Sequence, residues 1–169
     1  MTFQVGEKVV YPNHGVGTIE NISSRSFGTQ QERFYLLRLA ASSMTVMVPF
    51  SHVGDLGLRK VTKTSEINRV LTFLAAGRPC CAQDWKDRFK ENSDRMRGGS
   101  LLEIAEVFKA LVLIQTAKPL SFREKKMLER ARTMLILETS IAKSVSEPEA
   151  INLIAKALAK SSLPMPSAL

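Results

Sequence analysis

The chain has 169 residues, 44% hydrophobic and 24% charged, a balance that excludes a disordered or fibrous polypeptide and suits one or two small domains. Its 24 Lys and Arg against 16 Asp and Glu leave +8, which disfavours a basic partner and favours an acidic one, whether nucleic acid, an anionic membrane or an acidic protein surface, among which charge alone does not choose. The charge is uneven: up to Lys60 there are 6 cations and 4 anions, and the remainder carries 18 against 12, so a polyanion is expected to meet the second half.

Up to about residue 60 the pattern is of short strands broken by turns. Lys8 to Tyr11, Gly17 to Ile22, Arg33 to Ala40, Met44 to Val48 and Leu58 to Val61 are rich in Val, Ile, Leu and aromatics. Pro12, Asn13, Gly15, Gly28, Ser42, Gly54 and Gly57 punctuate them. Five strands in sixty residues predict a small β-barrel with a thin core and exposed edges. Met44 to Pro49, closed by a proline that stops further pairing, is the candidate edge to accept a partner's strand.

From Thr64 the period becomes helical, with Ile67, Val70, Leu71 and Leu74 on one face, and Gly77 with Pro79 ends that run. A second helix carries Trp85 and stops at Gly98 and Gly99. Ser100 with Glu103, Ser121 with Glu124 and Ser146 with Glu149 each spell a capping box, which predicts helices over 101–117, 122–144 and 147–160. The fold class expected is α+β, a strand domain over 1–62 followed by an all-α domain of about five helices over 63–160. Residues 161–169, with two prolines, read as a flexible tail.

The second helix opens Asp84, Trp85, Lys86, Asp87, Arg88, Phe89, Lys90. Trp85 and Phe89 are four apart and share a face, with Lys86 and Lys90 in the adjacent row. That pattern fits first a core pair with a solvated flank, since large aromatics are mostly buried, and second an aromatic wedge for an unstacked base step with ammonium groups for the backbone. The fourth helix is strongly basic, with Lys118, Arg123, Lys125, Lys126, Arg130 and Arg132 against Glu124 and Glu129. One of its faces can pack through Met127, Leu128, Ala131, Met134 and Leu135 while another meets phosphate.

Catalytic constellations are not evident. His14 and His52 stand in separate turns, and Gly15-Val16-Gly17 lacks the Lys and Ser/Thr of a phosphate loop. Cys80 and Cys81 are adjacent; neighbouring Cα atoms about 3.8 Å apart fall short of the ~4.4 Å minimum usual for a disulfide, and no second pair supplies a zinc set. The expectation is a non-enzymatic, cofactor-free, metal-free protein with reduced thiols, cytoplasmic, with no apolar run of membrane-spanning length.

The opening Phe3, Val5, Gly6, Val9, Val10, Tyr11, Pro12, His14, Gly15, Val16, Gly17 resembles the start of the CarD/CdnL transcription regulators. Their first module is shared with the RNA-polymerase-interacting domain of the transcription-repair coupling factor. The similarity continues through Met47 to Pro49, Gly57 to Arg59, the Trp85 helix, and Leu120, Ser121, Glu124, Lys125, Met127, Leu128, Ala131 and Arg132. The resemblance implies a small Tudor/SH3-like β-barrel that docks on the lobe of the RNA polymerase β subunit. It implies too a helical domain that touches promoter DNA at the upstream edge of the melted bubble, as a monomer. By the same carry-over Trp85 enters the minor groove, Lys86, Lys90 and Lys125 contact DNA and Arg25 contacts polymerase; Arg88 joins the expected DNA set, and Met47, Val48 and Pro49 of the candidate edge join the expected polymerase set. Some members have arginine where this chain has Met47, and a basic residue where it has Asp87. Two other classes compete with this reading: a sequence-specific DNA-binding regulator acting without polymerase, and a Tudor-like adaptor with no DNA role.

Overall fold

The structure is a computed structural model that describes residues 2–12, 14–40, 42–79, 84–98 and 100–167, apart from the side chains at 85 and 98. The adjacent thiols at Cys80 and Cys81 lie outside the described residues. Two compact units divide the chain, 1–61 and 62–169.

The first unit holds β1 (Lys8–Tyr11), β2 (Gly15–Phe27), β3 (Gln30–Leu39), β4 (Thr45–Pro49) and β5 (Arg59–Lys60), with a 3-10 turn at Phe50–His52 and the short helix α1 (Val53–Leu56) before β5. The antiparallel sheet runs β4-β3-β2-β1-β5. β2 and β3 extend well beyond the apolar run that announces them, because the polar stretch Ser23–Phe27 pairs residue for residue with Gln30–Phe34. Gly28, with φ +64, makes the reversal between them. Gly17 serves packing and not a phosphate: a Cβ there would stand 2.9 Å from Arg38 O, so the β2–β3 approach requires glycine.

The sheet is not the closed barrel expected. β4 pairs only with β3 and the two-residue β5 only with β1 among the described residues, because Phe50–Leu56 coils into helical turns where a closing strand would run. Closure is left to side chains. Val9, Ile19, Tyr35, Leu37 and Val48 form the buried centre, covered by Phe3, Val53 and Leu58. Tyr35 stacks on Phe50 at 4.1 Å, and its hydroxyl is satisfied by the Phe3 backbone N–H at 3.0 Å.

The second unit is built from α2 (Thr64–Ala76), α3 (Trp85–Gly98), α4 (Leu101–Ala117), α5 (Phe122–Lys143) and α6 (Glu147–Lys160). α4 is buried along most of its length, from Leu101 to Val112; α2, α3 and α5 pack against it, and α6 packs against α2 and α5. Each predicted box caps a helix, but to different degrees. At α6 both halves form, Ser146 Oγ accepting from Glu149 N and Glu149 accepting from Ser146 N at 3.3 Å each. At α5 the hydroxyl of Ser121 caps Glu124 N at 3.3 Å, while the Glu124 carboxylate turns inward to Arg88, a partner no local pattern announces.

The segment after α6 is held where fraying was expected. Leu163 is buried, and the Pro166 carbonyl accepts from Arg132 Nε of α5 at 2.9 Å. An apolar anchor and one charge-assisted hydrogen bond outweigh the prolines' lack of donors.

Candidate functional site

In the strand unit the register decides what each residue implied for polymerase can do. Pro49, Phe34 and Ser23 stand opposite one another across β4, β3 and β2, as do Met47 and Leu36, while Arg25 faces Glu32. Directly opposed residues share a sheet face, so Arg25, Met47 and Pro49 lie on one face. Val48 opposes Tyr35 on the other and is fully buried. Its side chain is therefore core, and its backbone is spent on the ladder with β3, so Val48 itself offers a partner nothing directly. Arg25 and Met47 are exposed.

β4 is a sheet edge. Leu39 N donates to Met44 O at 2.8 Å, and alternation along this register turns the N–H groups of Val46 and Val48 toward β3 and those of Thr45 and Met47 outward. The N–H that Pro49 lacks would also have pointed outward, so the proline limits the edge without costing an internal bond.

In the helical unit the organising contact is an ion pair. Arg88 and Glu124 are both buried, with Arg88 Nε to Glu124 Oε2 and Nη2 to Oε1 each at 3.1 Å. The fork joins the first turns of α3 and α5, and Arg123 reaches over the half-buried Phe89 ring at 5.8 Å beside it. Arg88 thus departs from the expected role: it is 6% exposed, committed to Glu124 and hidden from a phosphate. What it does is fix the helix that carries Lys86 and Lys90. These stand two residues to either side of it, about 200° round the helix, and both are exposed. Lys125 is exposed on α5 and borders a groove shared with Gln115, Arg132 and Pro166. Trp85 begins α3, and its side chain lies outside the described residues. Asp84 Oδ1 accepts from Lys86 N at 3.2 Å and so caps the start of this helix.

Both units match known families by sequence. Residues 3–62 match the family described as CarD-like/TRCF RID domain, and residues 69–155 match CarD, C-terminal domain. The chain belongs to the CarD/CdnL family of transcription regulators. It is 35% identical over 147 residues to YdeB of Bacillus subtilis (strain 168), covering 87% of this chain and 96% of that one. The solved structure of CdnLNt from Myxococcus xanthus is 38% identical, covering 36% of this chain and 86% of that chain, with a TM-score of 0.31. The CarD-like/TRCF RID module implies interaction with RNA polymerase, and the family is one of regulators and not a known enzyme class. No described helix is long and apolar enough to cross a membrane.

Sequence reasoning missed Lys109. It interrupts the apolar run Val107 to Ile114 of α4, which is the signal that could have found it. Its side chain is buried, and Nζ donates to Phe73 O at 2.9 Å, Gly77 O at 2.6 Å and Ser161 Oγ at 3.0 Å. Burial holds its ammonium below the ordinary lysine value. The contact closes the C-terminal end of α2, just before the connection to α3.

Proposed function

We propose that the strand unit docks on the lobe of the RNA polymerase β subunit through the β4 edge and the face bearing Arg25 and Met47, and that the helical unit contacts promoter DNA at the upstream edge of the bubble. Lys86, Lys90 and Lys125 neutralise phosphates, Trp85 enters the minor groove at the opened step, and the open complex gains lifetime. The observation that carries this reading is the buried Arg88–Glu124 pair: it consumes the one acidic side chain in the first turn of α5 and leaves the lysines of α3 facing outward.

Three phosphate contacts give a salt slope of only about −3, and sequence-blind binding of this kind has Kd of roughly 10⁻⁴ to 10⁻⁶ M. Docking makes the DNA contact intramolecular, at an effective concentration on the order of millimolar, which saturates so weak a site. Promoter response then follows bubble stability more than base sequence.

The test is open-complex lifetime with purified polymerase and saturating protein. Trp85→Ala is expected to shorten it by about 5-fold to 150-fold, the equivalent of roughly 1 to 3 kcal/mol of stacking, with the melting temperature of the free protein unchanged and Trp85→Phe restoring part of the effect. A large drop in melting temperature with no DNA defect would make Trp85 a core residue. Tight, sequence-dependent binding to naked duplex would replace the reading with a conventional DNA-binding regulator.

A further inference from the structure

The outward face of α5 opens with an aromatic side chain that the bundle does not use. Phe122 is 72% exposed, more than any other large apolar side chain described. Lys126, one turn on, holds its ammonium over one face of the ring at 4.7 Å from the centroid. Lys125 follows at i+3 on the same side of the helix, and Lys118 is exposed in the preceding turn. The acid that would balance this cluster from the first turn, Glu124, is turned inward to Arg88. Through that pair the first turn of α5 meets the first turn of α3.

We infer that Phe122, backed by Lys126 and flanked by Lys125, is a stacking platform for an unpaired nucleotide of single-stranded DNA. A ring presented to water with cations beside it suits a ligand that is flat and anionic at once: a base covers the open face while its phosphates meet the two ammonium groups. A purely apolar protein pocket would gain nothing from ammonium groups at the ring, and a duplex offers phosphates but keeps its base faces stacked. The inference rests on the nucleic-acid reading of the helical unit and adds to it a second aromatic contact, on a different helix from Trp85.

The full-length protein, titrated at low ionic strength against fluorescein-labelled oligothymidine and against a fully paired duplex of equal length, tests this by anisotropy. Wild type is expected to prefer the strand. Phe122→Ala should lose about 5-fold to 150-fold on the strand and little on the duplex, at an unchanged melting temperature. Phe122→Leu, as apolar but without a flat face, should lose as much, and Phe122→Trp should retain binding. Lys125→Glu should weaken both. No strand preference in wild type, equal losses on strand and duplex, a Leu variant that binds like wild type, or a lowered melting temperature each overturn it. If Phe122→Ala changes nothing while Lys125→Glu still weakens binding, the platform falls and the nucleic-acid reading stands. If Lys125→Glu also changes nothing, both fall.

Discussion

The two units place charge in opposite ways. In the strand unit two ion pairs lie at the surface: Arg38 with Glu20 at 3.2 Å and Lys60 with Glu7 at 3.4 Å, with more than half of each cationic side chain in solvent. The Glu7 carboxyl is held below its ordinary value chiefly by the backbone N–H of Gln4, with Lys60 a lesser cause. Exposed pairs of this kind are worth about 0 to 1 kcal/mol, so the unit stands on its apolar centre, and in the proposed docking it meets polymerase at the β4 edge. In the helical unit polar groups are buried as clasps: Arg88 on Glu124, Lys109 on three acceptors, and Glu138 accepting from Thr62 Oγ1 at 2.9 Å. Its outward cations are placed by inward ones, and that dependence can be broken.

The largest effect is expected from cutting the ion pair. Arg88→Ala leaves Glu124 buried and uncompensated, at a cost of about 3 to 5 kcal/mol, seen as a loss of melting temperature in the helical unit together with weaker DNA contact. The double variant Arg88→Met, Glu124→Leu removes both charges and is expected to recover most of the stability, since a buried pair is commonly replaceable by packed apolar groups. A double variant as unstable as the single one would show that the fork is needed for more than charge balance.

Next in size is Lys109→Met, expected to cost about 1 to 3 kcal/mol because the carbonyls of Phe73 and Gly77 lose their donor. The pH dependence separates this from simple repacking. The folded state releases the Lys109 proton before the unfolded chain does, since burial lowers the folded value. Between that lowered value and the usual ~10.4 the unfolded state binds more protons, so wild-type stability should rise with pH relative to the Met variant. Denaturant midpoints of both proteins across the alkaline range measure it.

These two clasps mark where the sequence stops being legible. Helices α4 and α6 begin and end where their capping serines and periodicity predict, and β1 is found over its predicted residues, because those signals are local. Arg88 and Glu124 are 36 residues apart, and a cation that pairs inward has the same spacing pattern as one that faces phosphate. Local pattern therefore grouped Arg88 with Lys86 and Lys90. Val48 shows the same limit in the strand unit: that Met44 to Pro49 is an edge could be read from its proline, but which alternate side chains point inward depends on the register with β3. The open sheet was hidden for a related reason, since closure depends on what the chain does between Pro49 and Arg59.

A smaller effect, confined to polymerase binding, is expected from Met47→Pro. Its N–H points away from β3, so the substitution removes an outward donor while sparing the internal ladder; Val46→Pro would break that ladder and the fold with it. Loss of one intermolecular bond, about 0.5 to 1.5 kcal/mol, corresponds to a several-fold weaker titration against the isolated β lobe at unchanged melting temperature. Affinity equal to wild type would move the docking surface off the β4 edge.

The smallest effect is expected from Lys125→Glu, and it is the one that separates a phosphate contact from a solvated face. Lys125 is exposed and has no role in the Arg88 clasp, so folding should change by no more than about 0.5 kcal/mol. Each phosphate neutralised contributes about 0.9 to the slope of the logarithm of the binding constant against the logarithm of salt. Losing this one should lower the slope by about one unit, similarly on every promoter, because a phosphate contact carries no sequence information. Docking through β4 should be untouched. The salt series is decisive where a single affinity is not: reversing a charge near a polyanion weakens binding at low salt by long-range repulsion even without contact, but screening removes that effect beyond a Debye length of about 10 Å at 0.1 M. A variant whose open-complex lifetime converges on wild type at that ionic strength, with an unchanged slope above it, would leave Lys125 as part of a general basic field and put the DNA contact on Lys86 and Lys90 alone.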